Sequence, residues 1–184
     1  MPYDARHEKL FLALIAGLCG FGLRPRATLE LPGPDPRLDR IVGLIAACRY
    51  SFHDLSRVDV RGGVPRFNMP FELGLAVGRT KRRRLKHEWF VFEARRFRLQ
   101  RSLSDLNGID PHIHHAQPHR VLVELTNALV RAHRQPTLEQ LTEVYRVLQR
   151  GAVRIREANA GLFGARAFRD LVVLAADFVE QELA

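Results

Sequence analysis

Cysteine is scarce: Cys19 and Cys48 are the only two in 184 residues. Two are too few for a disulfide scaffold, and their spacing excludes a C-x-x-C redox or zinc motif. Each lies in an apolar stretch, which predicts buried thiols in a reducing compartment. Long apolar runs are also lacking. The longest uncharged one, Leu10 to Leu23, falls short of the ~18 residues of a membrane span. Asp4 and Glu8 precede it and no A-x-A pattern follows, so it does not read as a signal peptide. The expectation is a cytoplasmic protein without a membrane segment. Acidic residues are in the minority, 20 Asp plus Glu against 29 Lys plus Arg, for a net charge of +9. That balance excludes an acidic-tail protein and favours an anionic partner or substrate. No internal repeat or low-complexity tract occurs.

What is present is an ordinary globular composition, 46% hydrophobic and 27% charged, long enough for one sizeable core. Leu10, Phe11, Leu14, Ile15 and Leu18 recur at helical spacing with Ala and Gly between them, predicting a helix buried nearly all round and ended by Gly20 and Gly22. Leu23 to Leu31 reads as a strand closed by Pro32-Gly33-Pro34-Asp35-Pro36. Leu38, Ile41, Val42, Ile45 and Ala46 line one face of a second helix, with Asp35 or Asp39 near its start. Tyr50 to Leu55 reads as a short strand, Arg61 to Pro65 as a Gly-rich loop, and a third helix starts near Asn68 to Pro70 and runs to about Gly78.

The clearest strand is His87 to Glu93, with its Trp89-Phe90-Val91-Phe92 centre. A short helix over Phe97 to Leu106, an edge strand over Ile109 to Ile113 and a helix over Val121 to Val130 follow. Strands alternating with helices predict a parallel sheet with helices on both faces, and ligands at the carboxyl ends of its strands. After Gln135-Pro136 only helices are expected, Thr137 to Arg150 and Ala165 to Leu183. Thr137 and Gln140 stand at capping-box spacing, and Gly161 to Gly164 forms a joint. The fold class is therefore α/β, with a sheet domain over residues 1–134 and a helical extension over 135–184.

Two strings fall at expected strand ends. They are Cys48-Arg49-Tyr50-Ser51-Phe52-His53-Asp54-Leu55-Ser56-Arg57 and Pro65-Arg66-Phe67-Asn68-Met69-Pro70-Phe71-Glu72-Leu73-Gly74-Leu75-Ala76. Proline belongs in a helix's first turn, so Pro70 predicts that Glu72 sits there too, ionised beside the unpaired N–H groups. The plainer reading is that Glu72 only complements the helix dipole, although Met69 denies it a capping box. Asp54 suits a ribose hydroxyl or a water at the ligand edge; it also suits an Asx turn or helix cap. Arg49, Arg57 and Arg66 bracket the same edge and fit phosphates. Phe67 can stack on a base or enter a core; Asn68 can bond ribose or cap the third helix.

These strings resemble a family. They look like bacterial TIR-like proteins, grouped with the nucleoside 2-deoxyribosyltransferase-like superfamily, whose members carry C-R-Y-x-x-H-D-[IL]-S-R and P-R-F-N-M-P-[FL]-E-L-G. Phe21-Gly22-Leu23-Arg24-Pro25-Arg26 to Glu30, Ser104-Asp105-Leu106-Asn107-Gly108, and His114 before Pro118 extend the similarity over roughly residues 2 to 130. The resemblance implies a flavodoxin-like or TIR-like parallel sheet. It implies that Glu72 is the catalytic carboxylate at a ribosyl anomeric carbon, with Asp54, Arg49, Arg57, Arg66, Phe67 and Asn68 holding the substrate. The usual first strand, expected directly before Pro2-Tyr3-Asp4, is missing from this chain. An N-glycosidase needs a carboxylate against its oxocarbenium-like centre. Nicotinamide leaves NAD without an acid's help, so a single carboxylate favours NAD as the substrate, with no further cofactor. A bacterial antiphage-defence or stress role, licensed by homo-oligomer assembly, is the implied context.

Other readings compete. The run Arg79-Thr80-Lys81-Arg82-Arg83-Arg84-Leu85-Lys86 fits nucleic-acid phosphates or a solvated connection. His112, His114, His115 and His119 invite a metal, but lack the Cys or H-E-x-x-H pattern of a zinc site, so none is assigned. The alternative function is a non-catalytic module that binds a nucleotide signal or nucleic acid and acts through oligomerisation.

Overall fold

The computed structural model describes residues 7–30, 33, 36–56, 67–80 and 86–183. The expected loop at Arg61 to Pro65, the bulk of the basic run, Arg57 and Arg66 lie outside them. The chain is α/β, with a three-stranded parallel sheet and a helical C-terminal part. It divides into two compact units, one holding the described residues of 34–116 and the other those of 3–33 and 117–184.

In the first unit the strands are β1 (Tyr50–Asp54), β2 (Glu88–Glu93) and β3 (His112–Ile113), in spatial order β1-β2-β3. Aromatic and β-branched residues suit these pleated surfaces. β1 pairs in register with β2 from Tyr50 opposite Glu88 to Asp54 opposite Phe92, and Phe92 and Glu93 then pair with His112 and Ile113. Helix α3 (Asn68–Thr80) connects β1 to β2. The sheet face of Leu55 and Val91 packs against Leu73 of α3 and against Leu99, with Met69, Val77 and Trp89 around them. Alternation along the strands puts Tyr50, Phe52, Asp54, Phe90, Phe92 and His112 on the other face. There Phe52 stacks on Phe90 at 5.3 Å and Phe92 on His112 at 5.0 Å.

The second unit gathers α1 (Glu8–Gly20), α5 (Pro118–Ala128), α6 (Leu138–Asn159) and α7 (Ala165–Glu182), and α1 packs against all three of the others. The all-round apolar character of α1 makes this possible: Leu10, Phe11, Leu12, Ala13, Ile15, Ala16 and Cys19 are all buried. Three close approaches are built on glycine, one of them at Gly20, where an added Cβ would run into Leu141 of α6. A Cβ added at Gly17 would run into Leu125 of α5, and one at Gly151 into Leu174 of α7. Gly151 therefore serves helix contact and does not end α6, which runs nine residues past the expected Arg150. Its start is the expected capping box: Gln140 N donates to Thr137 Oγ1 at 3.2 Å, and Thr137 N donates to Gln140 Oε1 at 2.8 Å.

Two expectations need correction, those over Leu23 to Leu31 and Phe97 to Leu106. The strand over Leu23 to Leu31 does not form; the described part is irregular and then a 3-10 turn at Thr28–Glu30. Pro25 lacks a ladder N–H, and the Glu30 carboxylate folds back, accepting from Arg26 Nε at 2.8 Å and from Ala27 N at 3.0 Å. Helix α2 (Arg37–Ala47) forms, but only Ile41 of its apolar face is buried, while Leu38 and Val42 are 46% and 45% exposed. The helix expected over Phe97 to Leu106 is split into α4 (Arg98–Ser102) and a 3-10 turn, Ser104–Leu106. Of the two thiols, Cys19 is buried and Cys48 is only partly so. Burial lifts the Cys19 thiol to about 12.

Replacing Gly17 by valine should overpack the α1–α5 contact and cost about 1–3 kcal/mol, read by chemical denaturation. An unchanged midpoint would mean that Leu125 moves aside freely.

Candidate functional site

Three strand ends converge on Glu93. This carboxylate, 1% exposed, accepts from Ala94 N at 2.6 Å, Arg95 N at 3.3 Å, Arg98 Nε at 2.9 Å and Arg98 Nη2 at 2.5 Å. Phe97, held left-handed at φ 62°, turns the chain so that Arg98 can reach back. Arg98 Nη2 also donates to Leu55 O at 3.3 Å, and His114 N donates to Glu93 O at 3.0 Å. The carboxyl ends of β1, β2 and β3 are thereby tied to one another.

Asp54 ends β1 on this edge, almost fully buried. Its Oδ1 accepts from Ser56 N at 2.9 Å, which is the Asx turn that the residue type allows. His114 lies just past β3 on the same face, fully buried, with Nε2 3.0 Å from Ser56 Oγ and 3.6 Å from Asp54 Oδ1. The first distance is a hydrogen bond and the second an electrostatic contact. Ala116 N donates to His114 Nδ1 at 3.1 Å. Burial alone would push the Asp54 carboxyl up; the His114 ring and the Ser56 N–H outweigh it and hold the group down at about 2. Asp54 is therefore a carboxylate at any working pH. Because Ser56 and Asp54 meet the same ring nitrogen, the trio is not a nucleophile–base–acid relay, which needs opposite nitrogens.

On the other face a second buried chain runs beneath α3. His87 Nδ1 donates to Cys48 O at 2.9 Å, so Ser51 Oγ donates to His87 Nε2 at 3.1 Å and accepts from His53 Nε2 at 3.0 Å. Each proton in this chain has one position. Burial, reinforced by His87, lowers the His53 ring to about 3.

Glu72 is half-buried on α3. Phe71 N donates to Phe67 O at 3.0 Å, so Phe67 caps the helix and Asn68 begins it. This corrects two expectations: Asn68 is not the cap, and Glu72 lies one turn further in, with no acidic residue in the first turn. Burial raises the Glu72 carboxyl above its ordinary value, while Arg37 of α2 pulls it the other way. Phe67 and Phe71 are 64% and 54% exposed, so neither enters the core. Helix α3 follows β1 and so starts from its carboxyl end, the edge that carries Asp54. Arg49 is elsewhere. It precedes β1, about 17 Å from Asp54 at the usual strand rise, and its guanidinium lies 5.0 Å over the Tyr50 ring. Arg79 of the basic run donates to Ala46 O at 2.9 Å.

A groove of about 320 Å³ lies between α2 and α3, lined by Val42, Ile45, Gly74, Leu75, Gly78 and Arg79. It is apolar apart from Arg79 and includes none of the expected site residues. Among the described residues no three His, Cys, Asp or Glu side chains converge to hold a metal, and no described helix is long and apolar enough to cross a membrane. The residues that sequence reasoning passed over are Glu93, Arg98 and Ser56. Ser56 stood inside a quoted string, whereas Glu93 and Arg98 carried only their position after the clearest strand. Comparison with family models, curated proteins and solved structures finds no match to this chain.

Two outcomes follow from these contacts. Folded His53 stays neutral below pH 6.5, where the unfolded ring takes up a proton, so stability is full above 6.5 and falls as pH drops towards about 3. Unfolding free energy measured at about pH 4.5 should be about 2–3 kcal/mol below that at about pH 7, and His53→Leu should flatten this slope. Arg98→Met strands the buried Glu93 carboxylate and should cost about 3–5 kcal/mol; a loss under about 1 kcal/mol, typical of a surface pair, would mean that the pair is screened.

Proposed function

We propose that the chain is a TIR-like protein of the nucleoside 2-deoxyribosyltransferase-like superfamily that hydrolyses the N-glycosidic bond of NAD or a related nucleotide. One observation carries the reading: a buried Asp54, its Oδ1 held by the Ser56 N–H, stands at the carboxyl end of a parallel strand from which the Glu72-bearing helix starts. Ligands of such sheets bind at that edge. Glu72, as the catalytic carboxylate, stabilises the oxocarbenium-like centre at the anomeric carbon. Nicotinamide departs with the bonding electron pair, water adds to the carbon, and one proton is released. Asp54 and Asn68 bond the ribose hydroxyls, Arg57 and Arg66 hold the phosphates, and Phe67 and Phe71 offer aromatic surface to a base. Arg49, at the opposite end of β1, has no part in this arrangement. The proposed setting is the bacterial cytoplasm, in defence or stress, with activity licensed by self-association.

The test is nicotinamide release from NAD at high protein concentration, wild type beside Glu72→Gln. Loss of a group that stabilises developing charge should lower turnover about a hundredfold or more. The rate should rise with pH through a midpoint above the ordinary carboxylate value, since the ionised form acts and burial raises the group. Equal release by both proteins would remove Glu72 from the role. Binding without release would favour a nucleotide sensor.

A further inference from the structure

Buried histidines usually serve packing or a hydrogen bond, but His114 has its three polar neighbours in a fixed order. His115 and Ala116 both adopt left-handed backbone, φ 52° and 56°, directly after it. Left-handed geometry is costly for residues with a Cβ and persists only where surrounding contacts enforce it. Here it swings the Ala116 N–H back onto His114 Nδ1. An accepting Nδ1 carries no proton, so the neutral ring bears its hydrogen on Nε2. That hydrogen points to Ser56 Oγ, with Asp54 Oδ1 beside it. Ser56 in turn grips Oδ1 with its backbone N–H. Both attachments fall on one oxygen. Among the described residues none donates to Oδ2, and the Ser56 hydroxyl, having accepted from the ring, keeps its own proton to donate.

We propose that His114 is the positioning residue of this edge: through Ser56 and the Ala116 turn it locks Asp54 by Oδ1, leaving Oδ2 and the Ser56 hydroxyl as an acceptor–donor pair for a sugar diol. The diol assignment rests on the nucleotide reading above; the lock does not. A vicinal diol needs such a pair, one group to take its proton and one to give. His114 does no chemistry on the substrate itself, and acts through the carboxylate it holds.

The experiment is imidazole nitrogen NMR on the full chain, followed by carboxyl titration of Asp54 in wild type, His114→Gln and His114→Asn. Glutamine carries an amide N–H where the ring has Nε2; asparagine reaches only the place of Nδ1. Wild-type His114 should show a bare Nδ1 and a protonated Nε2, and a proton on Nδ1 would overturn the proposal without any variant. Asp54 should titrate below the ordinary carboxylate value in wild type, held down by the ring and by the Ser56 N–H. It should move up by about one unit in His114→Asn, the equivalent of one lost hydrogen bond to a charged group, and return towards the wild-type value in His114→Gln. Identical titration in all three would show that His114 only fills space. Ser56→Ala should weaken binding of NAD about tenfold while the tautomer stays in place. Unchanged binding would remove the hydroxyl from the pair. A wild type that neither binds nor cleaves NAD would sink the nucleotide reading and the diol assignment with it, yet leave the lock to be judged by the two NMR results.

Discussion

The carboxyl edge of the sheet depends on one buried carboxylate. Glu93 has no water to solvate it and must be met entirely by protein, and four donors from Ala94, Arg95 and Arg98 do so. Meeting it dictates the local chain: the sharp bend after β2, the left-handed Phe97, and the short helix that delivers Arg98. Arg98 then reaches Leu55 O, the residue after Asp54, and the Glu93 backbone receives His114 N. A buried ion pair is weak evidence of net stabilisation, since burial costs about what pairing returns. What it gives here is register. Three strand ends can meet in only one arrangement that leaves neither Glu93 nor Arg98 stranded.

Given that register, polar groups sort by face. Ser51, His53 and His87 form a chain of protons beneath α3, and Asp54, Ser56 and His114 form another on the opposite side. The first chain is closed: each donor has its acceptor, ending on Cys48 O. The second is open, because its carboxylate is held by one oxygen. This asymmetry separates packing from candidate chemistry more sharply than burial does, since His53 and Asp54 are buried alike.

Legibility in the sequence followed the range of the interactions. Trp89 to Phe92 declared β2 because its strand preference is local. The capping box at Thr137 was equally plain, with both partners within three residues. The expected strand at Leu23 to Leu31 does not form because the Glu30 side chain, a local competitor, overrides β propensity. The apolar stripe of α2 is legible as a stripe, yet only Ile41 of it is buried, because a hydrophobic face states what it prefers, not what covers it. Asp54 was legible as a residue of interest, but its partner His114 stands sixty residues on in sequence and only topology brings them together. Glu93 and Arg98 were illegible for a related reason. Their pairing needs a left-handed Phe97, which no propensity forecasts.

The two readings of Asp54, an Asx turn or a ligand group, turn out not to compete. A carboxylate has two oxygens and the Asx turn uses one. Fixing that oxygen lowers the conformational entropy the other must lose on binding, which is how preorganised sites gain affinity without added contacts. The same holds for charge. A buried carboxylate held well below its ordinary range cannot relieve a mismatch by taking up a proton. In the proposed role it would therefore reject an acceptor and select a donor. Glu72 is the reverse case, a half-buried carboxyl raised by its surroundings and loosely provided with partners. Asp54 is held down and Glu72 is raised, and under the proposed function that contrast would suit Asp54 to recognition and Glu72 to the centre where charge develops.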